Sequence, residues 1–141
     1  MSREKKKIIL GVDPGTRVTG YGLIAEMVPI DFGCIRPPAE LKLSDRYWII
    51  FTALSALIEK YEPTVVVVET QYVHKNVSSA MKLGMARGTV ILAAKKYQLP
   101  VVEYSPTRAK KAVTGVGSAS KEQVQAMVQR LLKLSKLPTP E

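Results

Sequence analysis

Two carboxylates stand where buried strands should end. The apolar run Ile8–Val12 stops at Asp13, and the run from Thr64 to Val68, TVVVV, stops at Glu69. An unbroken β-branched run suits a strand covered on both faces. In open α/β sheets, functional groups gather at the carboxyl ends of such strands. If the two strands are adjacent and parallel, Asp13 and Glu69 face each other. Anionic oxygens brought together repel unless something positive lies between them. A hard divalent cation such as Mg²⁺ meets that need through oxygen ligands. The competing reading is a pair of solvated strand ends.

A second chemistry is written in TGVGSASKEQ, Thr114–Gln123. Two glycines and two serines precede a helix N-terminus, and Lys121 falls in its first turn. A lysine there opposes the helix dipole, which favours anions. A phosphate would reconcile the two, meeting backbone N–H groups, the Ser118 hydroxyl and the Lys121 ammonium together. The stretch lacks the G-x-x-x-x-G-K-[ST] spacing of a nucleotide-binding loop, so a nucleic-acid backbone is the better partner. RAKK, Arg108–Lys111, adds charge nearby, including Lys110. A solvated basic turn is the plainer alternative.

ETQYVHKN, Glu69–Asn76, places Tyr72 just after the second carboxylate and before Lys75 and Asn76. An aromatic ring beside basic and amide groups suits stacking on an unpaired base, although a lone tyrosine is more often part of a core. His74, the single histidine, is assigned no role.

The elements that must position these groups follow from periodicity. Strands are expected at Ile8–Val12, Gly20–Glu26 and Pro29–Ile35, with only a weak hairpin signal at Met27–Val28, which carries no Gly or Asn. An amphipathic stripe from Leu43 to Tyr61 predicts a helix, with Ser44 as its N-cap and Pro63 beyond its end. A strand at Thr64–Glu69, a helix over Ser78–Tyr97, a strand at Leu99–Tyr104 and a helix from Ser120 complete the chain. Ser120 and Gln123 match a capping box. The order predicts a mixed α/β sheet, an antiparallel meander continued by parallel crossovers.

In the second helix, Ala80, Gly84 and Gly88 recur at four-residue spacing, flanked by Met81 and Met85. Glycine in a helix interior is costly, so another backbone should approach closely there. That backbone belongs either to the chain's own fold or to a second copy across a two-fold interface.

The 141 residues suit one domain with a proper core, and 46% apolar with 23% charged residues is an ordinary globular balance. No apolar run approaches a membrane span, the basic start lacks a signal-peptide core, and the single Cys34 fits a reducing cytoplasm. The net charge of +9 is unevenly spread. Residues 1–74 balance nine basic side chains against nine acidic ones, whereas residues 75–136 carry twelve against Glu103 and Glu122. A strongly basic second half suits a polyanion.

Taken with their order, GVDPGTRVTGYG, FGCIR, VVVVETQYVHKNVSSAMKLGMARG and GVGSASKEQVQAMVQRLLKL resemble the RuvC family of bacterial Holliday-junction resolvases over nearly the whole chain. The resemblance implies an RNase H-like fold with a five-stranded mixed sheet, a cytoplasmic homodimer, and paired nicking of four-way DNA junctions in recombination and repair. It also implies a branch-migration helicase complex as partner, and use of two Mg²⁺ ions per subunit with Mn²⁺ as substitute. By motif match, Asp13 and Glu69 take the first two catalytic and metal-binding positions. Tyr72 takes that of a junction-contacting aromatic, and Lys110 and Lys121 take basic DNA-binding positions. The helix bearing Ala80, Met81, Gly84, Met85 and Gly88 takes the place of a dimer contact. The family's last two catalytic acids lie on a C-terminal helix beyond LPTP, and this chain stops at Glu141. The expectation is therefore a single nuclease domain over residues 1–141, incomplete at its C-terminus, with a non-catalytic junction-binding form as the alternative. D-x-G-T also opens the phosphate loop of sugar kinases and actin-like ATPases, which need two such domains to close on ATP.

Overall fold

The computed structural model describes residues 7–70, 76–105 and 119–135, with the side chains of residues 119–124 outside that description. Eight elements follow in order: β1 (Ile8–Asp13), β2 (Thr19–Ala25), β3 (Val28–Ile35), α1 (Leu43–Tyr61), β4 (Val65–Glu69), α2 (Val77–Lys96), β5 (Val101–Tyr104) and α3 (Ala119–Ser135). The strands form one sheet in the order β3-β2-β1-β4-β5. The meander β1-β2-β3 is antiparallel, while β4 pairs parallel with β1 and β5 pairs parallel with β4. The expected mixed five-stranded sheet is therefore present, with helices on both faces.

Strand alternation sorts the side chains between two cores. On one face Leu10, Val12, Leu23, Val66 and Val68 pack beneath α1 and α2. On the other, Ile24, Val67 and Tyr104 pack with Val128, Leu131 and Leu132 of α3. Glycines on this second face let α3 settle close to the sheet. A Cβ on Gly22 would lie 2.8 Å from the Leu131 Cβ, and one on its cross-strand partner Gly11 would collide with Val128.

Four local expectations change. The link between β2 and β3 is a tight two-residue hairpin, with Glu26 at φ 51° and Met27 at φ 66°. Positive φ at both central positions matches the twist of the paired strands, and strand pairing imposes it here without Gly or Asn. Ser44 is not the N-cap of α1. The helix starts two residues earlier than that cap implies, at Leu43, with Lys42 as the cap and no side-chain cap bond, and Asp45 in the first turn suits the dipole. The α2 N-cap is Asn76, whose Oδ1 accepts from the Ser79 N–H at 2.7 Å, so α2 begins at Val77 rather than Ser78. Ser120 lies inside α3, which starts at Ala119. The end of α1 follows expectation, with Glu62 in a left-handed cap donating its N–H to the Ile58 carbonyl at 2.9 Å, just before Pro63.

Candidate metal centre

Three adjacent parallel strands end in polar side chains on one face. Gly11 of β1, Val67 of β4 and Val102 of β5 all face α3. Two residues further on, alternation returns the chain to the same face, at Asp13, Glu69 and Tyr104. Val12 pairs with Val68 and Glu69 pairs with Tyr104, so the three stand in a row across the sheet. Neighbouring strands in such a sheet lie about 4.8 Å apart. Asp13 is 6% exposed, Glu69 7% and Tyr104 2%.

Two carboxylates so placed supply hard oxygen donors from neighbouring strand ends on one face of the sheet, and burial raises the cost of leaving their charges uncompensated. That donor chemistry fits a divalent cation that prefers oxygen. Neither carboxylate is without a partner. Among the described residues, no third Asp, Glu, His or Cys completes a metal-holding cluster with them.

Sequence reasoning missed Tyr104, which reads as an ordinary core aromatic ending a short apolar strand. Its ring packs in the core beneath α3, while its hydroxyl is buried and makes no hydrogen bond among the described residues. Burial, then the charges of Glu69 and Asp13, push its pKa far above the usual phenol range, so the group is held neutral. The signal available in the sequence was positional, since Tyr104 ends its strand as Asp13 and Glu69 end theirs.

The loop after Asp13 is tied down by hydroxyls. Thr19 is fully buried, and its Oγ1 donates to the Gly15 carbonyl at 2.8 Å and accepts from the Gly15 N–H at 3.2 Å. A Cβ on Gly15 would run into the Val18 carbonyl, so the turn requires glycine. The Thr16 and Tyr47 hydroxyls lie 3.1 Å apart, and each reaches the Lys82 carbonyl, at 3.3 and 3.2 Å. The loop is thus anchored to both α1 and α2. Across the strand ends, the Thr70 N–H and Oγ1 both donate to the Tyr104 carbonyl, at 2.8 and 2.9 Å.

The remaining sequence-derived residues divide by position. Tyr72, His74, Lys75, Lys110 and Ser118 lie outside the described residues. Lys121 falls in the first turn of α3, with its side chain outside the description. Asn76 is exposed and spends its side-chain oxygen on the α2 cap. On α2, the buried side carries Ala86, Val90, Ala93 and Ala94. Ala80 and Gly84 are exposed, as are Met81 at 64% and Met85 at 52%. A Cβ at Gly84 or Gly88 would meet nothing within 4 Å among the described residues. Close packing on the chain's own sheet does not account for these glycines.

Comparison with known proteins adds a second line of observation. The family model described as crossover junction endodeoxyribonuclease RuvC matches residues 9–141. A crossover junction endodeoxyribonuclease RuvC of Protochlamydia amoebophila is 60% identical over 138 residues, covering 95% of this chain and 82% of that protein. The protein of the same name from Chlamydia trachomatis serovar L2 is 48% identical over 135 residues, covering 92% and 79% respectively. Among solved structures, T. thermophilus RuvC in complex with Holliday junction substrate superposes with a TM-score of 0.73 at 27% identity, covering 96% of this chain and 84% of that one.

Proposed function

Because the chain belongs to the RuvC family of crossover junction endodeoxyribonucleases, we propose that it cuts four-way DNA junctions at a metal centre built on Asp13 and Glu69. The single observation that carries the siting is the placement of these two buried carboxylates at the ends of adjacent parallel strands, on one face of the sheet. The family is one of metal-dependent nucleases, and Mg²⁺, or Mn²⁺ in its place, suits the all-oxygen donor set. A divalent ion bound there would supply activated water and stabilisation of the leaving oxygen in phosphodiester hydrolysis.

The chain's own residues do the positioning. Asp13 and Glu69 would hold the ion from two strands whose relative place is set by backbone pairing, so little reorganisation would be needed on binding. The hydroxyl-tied loop at Gly15–Thr19 holds the carboxyl end of β1 in place. The basic second half brings phosphates in, with Lys75, Asn76, Lys110, Ser118 and Lys121 as backbone contacts and Tyr72 as a stacking platform for an unpaired base. The exposed face of α2, with Met81, Met85 and the open positions Gly84 and Gly88, suits contact with a second copy. A dimer would then set two centres on one junction and make paired nicks. The branch-migration helicase complex is the further partner that family membership suggests. The named relatives are endonucleases, and no observation favours a non-catalytic junction-binding form. Among the described residues, no helix is long and apolar enough to cross a membrane.

The test compares a labelled four-way junction with linear duplex of the same sequence, in Mg²⁺ and in chelator. Symmetric nicks in the junction alone, and only with metal, are the expected result. Equal cutting of linear duplex, or cutting in chelator, would overturn the reading.

A further inference from the structure

Tyr104 presents a chemical problem that the fold alone does not solve. It is 2% exposed, its ring is packed against the α3 side of the sheet, and its hydroxyl has no hydrogen-bond partner among the described residues. Buried polar groups are nearly always paired, because an unpaired one forfeits its bonds to water without replacement. Phenylalanine would fill the same space at no such cost. The hydroxyl is also not in an arbitrary place. Tyr104 stands directly beside Glu69 in register, third in the row that starts at Asp13. Its own backbone is clamped by two hydrogen bonds from Thr70, so the strand end that carries it is held firmly.

We infer that Tyr104 is a third functional group of the metal centre, its hydroxyl donating a hydrogen bond to an oxygen that enters with metal or DNA. The inference rests on the placement of the centre at Asp13 and Glu69. The proton stays on the phenol oxygen throughout, so the group orients and stabilises rather than transferring a proton. Two sources present the required acceptor: a water bound to the metal, or a non-bridging oxygen of the scissile phosphate. Both are oxygens carrying or developing negative charge, where a pre-placed donor in a water-poor site is most effective.

The experiment uses the full chain and Tyr104→Phe, which keeps the ring and removes only the oxygen. In urea, without metal or DNA, the variant should be at least as stable as the parent, because an unpaired buried hydroxyl has been deleted. A clear loss of stability would mean the hydroxyl has a structural partner, and would overturn the inference. Mn²⁺ titration without DNA reads the first source, where binding about tenfold weaker assigns the hydroxyl to a metal-bound water. Cleavage of bound junction at saturating Mn²⁺ reads the second, where unchanged metal affinity with a turnover about tenfold slower assigns it to the phosphate. Unchanged affinity together with unchanged turnover overturns the inference. Asp13→Asn run alongside separates the two levels of argument. If that variant binds Mn²⁺ like the parent, the placement of the centre is wrong whatever Tyr104 does.

Discussion

Val128 of α3 sits so close over Gly11 of β1 that a single added methyl group at Gly11 would overlap its side chain. Gly11 pairs across the strands with Gly22, where an added Cβ would lie 2.8 Å from the Leu131 Cβ. The two glycines together form the floor on which α3 rests, two residues from Asp13. Gly11→Ala should therefore destabilise the fold by about 1–3 kcal/mol through overpacking. Combining it with Val128→Ala should cost less than the two single changes summed, because the second removes the atoms the first collides with. Urea unfolding of the three variants checks this, and strict additivity would show that α3 is free to shift.

Asp13→Asn and Glu69→Gln should each abolish junction cleavage while retaining junction binding. Each removes a hard anionic ligand, and neither weakens attraction to phosphate. Gel-shift and cleavage assays on the same protein samples measure both. Normal cleavage by either variant would remove that residue from the centre.

Lys110→Ala and Lys121→Ala should weaken junction binding and flatten its salt dependence, by about one unit of log–log slope for each phosphate no longer neutralised. Tyr72→Ala should impair junction processing more than linear-duplex binding, since only unpaired bases offer a free face for stacking. Unchanged slopes for both lysines would return them to the solvated surface.

Gly84→Ala separates folding from assembly. With no described atom near a new Cβ, the change should strengthen the helix by roughly 0.5–1 kcal/mol in the isolated subunit. The same methyl group should hinder a close helix-to-helix contact with a second copy. Sedimentation velocity is expected to show a weaker dimer, and more clearly so for Gly84→Leu. If both variants associate like the parent, the interface lies elsewhere.

The hydroxyl of Tyr21 links stability to alkaline pH. Its pKa is raised above 10.0, first by burial and then by the charge of Asp31, with smaller effects from Tyr61 and Cys34. Asp31 itself is held by the Tyr61 hydroxyl, which donates to its Oδ2 at 2.7 Å. A phenol with a raised folded-state pKa stabilises the protein fully below its unfolded pKa, and this contribution is lost as pH rises through the folded value. Tyr21→Phe should therefore resist unfolding better than the parent above about pH 10, with little difference between them at about pH 8. Denaturation midpoints at the two pH values measure it, and an equal alkaline loss in both proteins would contradict the assignment.

Much of this protein was determined by its sequence alone. Apolar runs and helical stripes placed all eight elements to within a residue or two at most boundaries, because burial imposes a period of two on strands and nearly four on helices. The carboxylates ending β1 and β4 stood out for the same reason, as charged residues closing runs that burial requires to be apolar. Strand pairing decided what periodicity leaves open. The order β3-β2-β1-β4-β5 makes β1 and β4 neighbours, and their register brings Asp13 level with Glu69. Pairing forced Glu26 and Met27 into a turn that their side chains do not favour, because the twist of two hydrogen-bonded strands outweighs local preference. Docking of α2 left Gly84 and Gly88 without a neighbour among the described residues, which spacing could not foretell. Tyr104 belongs wholly to the tertiary structure. Its chemistry depends on which strand lies beside β4, and a single chain read in order carries no record of its neighbours in space.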